Sequence, residues 1–364
     1  MEKSALDYAR QGSRTLMRKF TVEQLPPAPR FHYHQGVYLS GVQRTYLLSD
    51  DKDLGDYVKA WIDYYVDDEG KLLHTTMNQF DDMQPAILMF DLYKKTGDER
   101  YRKAMDSLVP VIDQWPKNAR GGFWHKYDRE NQMWLDTLYM IGPFSAMYAK
   151  SFGHEYLYES IYQNMNLMRR NITDPKTGLL FHAWDDSKLA PWADPITGTS
   201  SQFWGRAIGW YAVSILDILE YMPEDHPRRQ EFIDAERDIV NALLRFQDDE
   251  TGLWYQVVDR GDDEKNWHET SCSSLFTYAI AKSVKMGILD RAYFKYAKKG
   301  YEAVINTLDF EGDDLILSNV CIGTGVGDYQ FYLDRPTVQN DLHGMGAFLL
   351  MCTEYYDTQQ SLGE

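Results

Sequence analysis

The sequence predicts an all-α fold of six stacked helical hairpins, whose alternate helices form an inner ring with a pocket at one end. Two observations carry this. Apolar residues recur at helical spacing in about twelve segments, and a glycine-led loop recurs between them with a hydrogen-bonding side chain at a constant offset. Twelve helices are too many for one bundle and suit hairpins packed side by side.

The segments fall near 4–20, 36–49, 54–66, 82–96, 98–115, 136–152, 155–171, 204–222, 227–247, 270–286, 290–308 and 340–356. In the fourth, Asp82 is placed to cap, with Pro85 tolerated in the first turn, while Asp81 stands one step further out and could face the pocket. Asp136 stands where the helix 136–152 begins, ahead of Leu138, Ile141, Phe144, Ala146 and Tyr148. Capping explains the aspartate but not its company. Trp124, His125, Lys126, Tyr127 and Trp134 precede it in one loop, and flat rings beside cationic groups suit a sugar or anion pocket. Both roles follow from the same position. In the stretch FWGRAIGWYAVSIL, residues 203–216, Arg206 and Trp210 are four apart and share a helix face, with Trp204 at the entrance. An arginine flanked by indoles can bind a carboxylate carried on a ring; the plainer alternative is an internal salt bridge among core tryptophans. Gly205 and Gly209 suggest close helix contact, and strand-like runs such as 253–258 are confined to linkers.

Gly70, Gly121, Gly178 and Gly252 each start a short apolar run, and four positions later come His74, His125, His182 and Gln256. Each loop leads to a strongly apolar helix whose start carries a polar group: Asp81 or Asp82, Asp136, Arg206, and His268 or Glu269. Tyr33, His34 and Gln35 hold the matching place before the second helix; Gln339, Asn340 and Asp341 hold it before the last. If alternate helices form the inner ring, these six entrances lie at one end, where unpaired backbone N–H groups and positive dipole ends favour an anionic ligand. Repetition makes His125 and His182 candidates for hydrogen bonding to substrate more than for proton transfer. The stretch IGTGVGD, 322–328, lacks the strand–turn–helix context of a dinucleotide loop and reads as a loop at the pocket rim.

Composition bounds the partners. Aromatic residues make up 14% of the 364, enough to place rings in a cleft as well as in a core. A net charge of −17 repels phosphate backbones and anionic lipid, which argues against nucleic acid and membrane surfaces as partners. An anionic substrate would need local attraction from a few Arg, Lys or His. Cys272, Cys321 and Cys352 are odd in number and widely spaced, so they read as buried thiols in a reducing compartment. The N-terminus lacks an apolar leader region, and a cytoplasmic protein is expected. No linker divides the chain, so a single domain over 1–364 is expected, as a monomer or weak homo-oligomer. Zinc-type spacing is missing, and DDMQP lacks the second acidic set of a metal-diphosphate site, so no metal is expected.

FDDMQP (80–85), GGFWHKYDRENQMWLDTLYM (121–140), GLLFHAWDD (178–186) and FWGRAIGWY (203–211) together resemble the unsaturated rhamnogalacturonyl hydrolases, family 105 of the glycoside hydrolases, which are related to unsaturated glucuronyl hydrolases. The resemblance covers essentially the whole chain. It implies an (α/α)6 barrel that removes the 4,5-unsaturated uronic acid from the non-reducing end of pectin (rhamnogalacturonan) lyase products, without cofactor. It further implies that Asp136 protonates C4 of the double bond and then helps water attack C5, and that Asp81 assists. His125, Lys126, Trp134, His182, Trp204, Arg206 and Trp210 match residues around the uronate. Two other readings stay open at this stage: an unsaturated glucuronyl hydrolase acting on other lyase products, and a sugar 2-epimerase or a binding module on the same barrel.

Overall fold

The computed structural model describes residues 3–363; Met1, Glu2 and Glu364, the ends of the expected domain, lie outside them. The helices are α1 (Ala5–Lys19), α2 (Tyr33–Ser49), α3 (Lys52–Tyr65), α4 (Leu88–Thr96), α5 (Glu99–Asp113), α6 (Thr137–Phe152), α7 (Tyr156–Ile172), α8 (Gly205–Tyr221), α9 (Arg229–Leu243), α10 (Thr270–Lys285), α11 (Phe294–Ile305), the short α12 (Tyr329–Leu333) and α13 (Leu342–Leu362). Inner helices pack in a closed order. The helix α2 meets the turn Gln84–Ile87 ahead of α4, that turn meets α6, then α6 meets α8, α8 meets α10, α10 meets α13, and α13 returns to α2. The outer helices α1, α3, α5, α7, α9 and α11 back this ring, which makes the fold an (α/α)6 barrel.

The sequence pattern separates the two rings. In outer α5 the buried residues Tyr101, Ala104, Met105, Leu108, Val109 and Ile112 form one stripe, whereas inner α8 is buried from Gly205 through Leu219 and inner α10 from Thr270 through Val284. Close approach of α8 to α10 requires glycine. A Cβ on Gly205 would lie 2.8 Å from the sulfur of Cys272, and one on Gly209 would lie 2.7 Å from Cβ of Leu275.

Three expectations change. The segment 82–96 is not one helix: 3-10 turns at Phe80–Asp82 and Gln84–Ile87, the second with Pro85 at its start, precede α4. Asp82 caps nothing; its carboxylate instead accepts from Arg30 (3.2 Å) and Thr76 (3.0 Å). The run 253–258 contributes only isolated bridges, Trp204 to Val257 and Tyr255 to His268. All three cysteines are free and buried. Among the described residues no helix is long and apolar enough to cross a membrane.

At the end away from the loop entrances, a cavity of about 210 Å³ is lined by Arg44, Asp217, Lys285 and Glu354 among others. Asp217 is paired there with Lys282 (2.7 Å) and Arg44 (2.9 Å). Behind this cluster, Glu236 is fully buried and receives a hydrogen bond from Ser283 (3.1 Å) on one oxygen, while the other has no partner. Burial pushes its carboxyl well above the usual carboxylate range, and Ser283 and Lys282 oppose this only in part. A raised folded-state value means that the protonated acid stabilises the fold fully below its unfolded value, 4.5, and that this is lost as pH rises through the folded value. Glu236→Gln, permanently neutral, should therefore melt close to the native protein at pH 4 and above it at pH 8. A calorimetric Tm difference that does not grow with pH would refute a protonated Glu236.

Candidate active site

Two of the glycine-led loops are stitched together at the open end. Strand β1 (Gln132–Trp134) pairs antiparallel with β2 (Ala183–Asp185), with Met133 opposite Trp184, and the N–H of Leu135 donates to the carbonyl of His182 (2.9 Å). This register sets Asp136 next to His182 although they are far apart in sequence. Trp134 is sandwiched: the His125 ring stacks on it at 4.3 Å and 11°, and His182 meets it edge-on at 5.8 Å.

Asp136 occupies the N-cap position of α6, but with helical dihedrals and no capping hydrogen bond from its side chain. Its Oδ1 is buried without a partner. The side chain therefore does not serve the helix end. Burial, and then the negative charge of Asp81, push its carboxyl up to about 7, against weaker opposing pulls from Lys126 and Arg206. Asp81 is buried as well, which alone would raise it. The nearby His32 imidazole and the Lys126 ammonium overturn that and hold it well below the carboxylate range. Lys126 Nζ lies 3.1 Å from Asp81 Oδ2, and His32 Nε2 lies 3.7 Å from it. One acid is thus held ionised while its neighbour keeps a proton near neutral pH, the split that assigns base and acid roles in a pair.

The histidines are neutral hydrogen-bonding groups. Burial takes both His125 and His182 down to about 3. His125 Nδ1 lies 2.7 Å from the Thr137 hydroxyl, and His182 Nδ1 lies 2.7 Å from the Tyr332 hydroxyl, leaving His182 Nε2 buried without a partner. Trp204 lies 4.8 Å from the His182 ring and 4.7 Å from the Arg206 guanidinium. Arg206 is only 2% exposed and donates to the carbonyls of Cys321 and Ile322 (2.9 Å for the second), so it holds backbone as well as bringing positive charge. Trp210 departs from the expectation of a uronate contact: it is buried one turn deeper in α8 and stacks on Tyr139 at 4.4 Å. Four residues on is one turn deeper along α8, away from the entrance, and there the ring packs against α6 through Tyr139.

The 319–333 stretch, which contains the loop 322–328 expected at the rim, lies beside Trp134, His343 and Arg206. Strand β3 (Asp309–Glu311) pairs with β4 (Asp314–Ile316), and β5 (Val320–Cys321) pairs with β6 (Thr337–Val338) to start this loop; Glu269 then accepts from the N–H of Cys321 (2.9 Å). Arg335 donates to the Gly323 carbonyl and to Thr324 (3.1 Å). A Cβ on Gly325 would lie 3.6 Å from the Trp134 ring, and one on Gly323 would lie 3.7 Å from the His343 ring, so this backbone runs beside both rings with room for a small side chain between.

The repeat itself overreached in two copies. His74 is exposed and stacks on Tyr64 at 6.0 Å, and Gln256 is one step removed, donating to the Tyr332 carbonyl (2.7 Å). His268 packs on Tyr255 at 4.1 Å. Sequence reasoning missed His32, Tyr332 and His343. His32 adjoins the flagged Tyr33 and His34, and His343 follows the flagged Asp341 by two; Tyr332 carried no signal. Among the described residues no three His, Cys, Asp or Glu side chains converge as metal ligands.

The sequence profile described as Glycosyl Hydrolase Family 88 matches residues 8–359. The chain belongs to that family. This glycosyl hydrolase is 26% identical over 334 residues to the unsaturated rhamnogalacturonyl hydrolase YesR of Bacillus subtilis, covering 90% of each chain. It is 26% identical to an unsaturated 3S-rhamnoglycuronyl hydrolase of Formosa agariphila, over 76% of this chain and 74% of the relative. A solved glycoside hydrolase of family 105 from C. acetobutylicum is 34% identical and superposes with a TM-score of 0.91, over 96% of this chain and 99% of that one.

In this hydrolase the proton on Asp136 depends on its neighbour. Asp81 raises Asp136, so replacing it with the neutral isostere removes a cause of protonation. Asp81→Asn should move the Asp136 titration below 7, as followed by carbon NMR of labelled aspartate carboxyls. An unchanged midpoint would mean that the two acids are not coupled.

Proposed function

We propose that this glycosyl hydrolase releases the 4,5-unsaturated uronic acid from the non-reducing end of rhamnogalacturonan lyase products by hydrating the C4=C5 double bond. The observation that supports it best is a buried carboxyl, Asp136, whose Oδ1 has no partner and which burial and the ionised Asp81 push up to about 7. A vinyl ether is activated by protonation at carbon, and Asp136 carries its proton at the pH where this is needed. Protonation of C4 leaves an oxocarbenium-like charge on C5 and the ring oxygen, which the ionised Asp81 stabilises at short range. Water adds to C5, the hemiketal opens, and the sugar leaves as a keto-uronate.

The surrounding groups fit a sugar acid. Trp134 and Trp204 offer faces, and His182 Nε2 offers an unused hydrogen-bonding atom. Arg206 contributes positive charge from within the wall, locally offsetting a chain whose net charge is −17. Lyase-derived oligosaccharides with a 4,5-unsaturated uronate are the coarser substrate class. The rhamnogalacturonan product is preferred because the relative aligned over 90% of both chains carries that name. An epimerase reading fits poorly, since a histidine pair that shuttles protons needs values near neutrality and both histidines here lie at about 3.

The test is loss of the unsaturated-uronate ultraviolet absorbance on rhamnogalacturonan-derived and glycosaminoglycan-derived disaccharides. Asp136→Asn, folded by circular dichroism, should lower kcat by at least about 100-fold, the span usual for a lost general acid. Full activity in that variant would end the hydration reading, and a preference for the glycosaminoglycan product would move the substrate assignment.

A further inference from the structure

The two aspartates leave unexplained a second buried chain of polar groups at the same end of the barrel. Tyr33 Oη lies 2.7 Å from His343 Nε2, and His343 Nδ1 makes a short hydrogen bond with Asp341. The N–H of His343 also donates to Asp341 (2.9 Å), which fixes that carboxylate at the head of α13. The direction of each hydrogen bond follows from charge. Burial alone would raise Asp341, but its contact with His343 holds it below the carboxylate range, so it can only accept. His343 Nδ1–H therefore donates to Asp341, Nε2 carries a lone pair, and the Tyr33 hydroxyl must donate to it. Burial also keeps His343 neutral, against the opposing charge of Asp341.

The same order of groups, hydroxyl to imidazole to carboxylate, is how a nucleophilic triad prepares a hydroxyl to move a proton. A tyrosine kept only for packing needs neither partner. Tyr33 is half-buried and stands 4.7 Å from the His32 ring, whose Nε2 is 3.7 Å from Asp81. The His34 ring also lies close, 4.4 Å from Tyr33 and 4.7 Å from His32. With its own proton committed to His343, the phenol oxygen presents lone pairs to the space shared with the acids. Burial and then the charge of Asp81, with a smaller contribution from Asp136, suppress its ionisation, which places it in the field of both.

We propose that Tyr33 is a catalytic residue of the hydration, its oxygen accepting a proton from the water that adds to C5 while its own proton passes to His343 Nε2. His343 and Asp341 are positioning residues. The proposal rests on the hydration reading above and divides between two groups the proton transfers that reading would otherwise give to Asp136 alone. Asp136 loses the proton that forms the C4–H bond. One O–H bond of water breaks as its oxygen bonds C5, the proton goes to Tyr33, and the proton of Tyr33 goes to His343, leaving an imidazolium opposite Asp341. That proton leaves to solvent and Asp136 regains one from solvent, so one H and one OH are added across C4=C5 and the enzyme is restored.

The experiment measures kcat and KM of Tyr33→Phe, His343→Gln and Asp341→Asn on an unsaturated rhamnogalacturonyl disaccharide, with Asp136→Asn as control. Tyr33→Phe should lower kcat by about 100-fold with KM within about threefold, and the Tyr33→Phe/His343→Gln double variant should be no slower than its slower parent. Proton NMR should show a downfield His343 Nδ1–H that Asp341→Asn abolishes. Wild-type kcat in Tyr33→Phe, or multiplicative losses in the double variant, would overturn the relay while Asp136→Asn remained inactive and the hydration reading stood. An active Asp136→Asn would remove that reading and the relay with it. If His343→Gln does not fold, the near-isosteric Tyr33→Phe and Asp341→Asn variants decide the matter.

Discussion

A ring of hairpins has one seam, where the last inner helix must close on the first, and the site of this protein is built across it. The helices α13 and α2 approach so closely that a Cβ on Gly346 would lie 2.4 Å from the Val37 side chain, and one on Gly41 would lie 2.4 Å from Cβ of Leu349. Glycine on both sides of the seam lets backbone pack on backbone. Closure then puts His32 and Tyr33 of the first inner helix beside Asp341 and His343 of the last, and a hydrogen bond of 2.7 Å spans it. A shift at the seam would separate Tyr33 from His343.

Within the ring, burial works against charge and the local partners decide the outcome. Asp81 and Asp136 are both held in a low-dielectric setting that disfavours a carboxylate. Asp81 has Lys126 and His32 at hand and stays ionised, and its charge then falls on Asp136, which has no partner at Oδ1. The contrast comes from leaving Oδ1 of one side chain without a partner and setting a lysine and a histidine beside its neighbour. His125 and His182 follow the same rule: burial outweighs the charge that reaches them, and they serve as neutral hydrogen-bonding groups.

The glycine loop shows the cost of reading an arginine in isolation. Arg206 donates to the carbonyls of Cys321 and Ile322, and Arg335 donates to that of Gly323, so two guanidiniums hold one stretch of backbone in place. The stretch then runs beside Trp134 and His343, whose rings lie nearest to Gly325 and Gly323. The wall on that side of the pocket is therefore main chain fixed from behind.

The sequence by itself determined the helices, their pairing into six hairpins and the end of the barrel at which chemistry gathers, because apolar spacing and glycine-led turns act over a few residues at a time. It also singled out Asp136, Asp81, His125 and His182, since their loops depart from what a turn alone needs. It misplaced Trp210 and His74 and expected a cap at Asp82, because a face shared on one helix does not say which neighbour that face meets. Tertiary structure alone decided which acid keeps its proton, that His182 leans on Tyr332, and that Tyr33 finds His343. Those outcomes depend on distances between groups up to 310 positions apart. Such distances exist only once the ring has closed and water has left the groups within it.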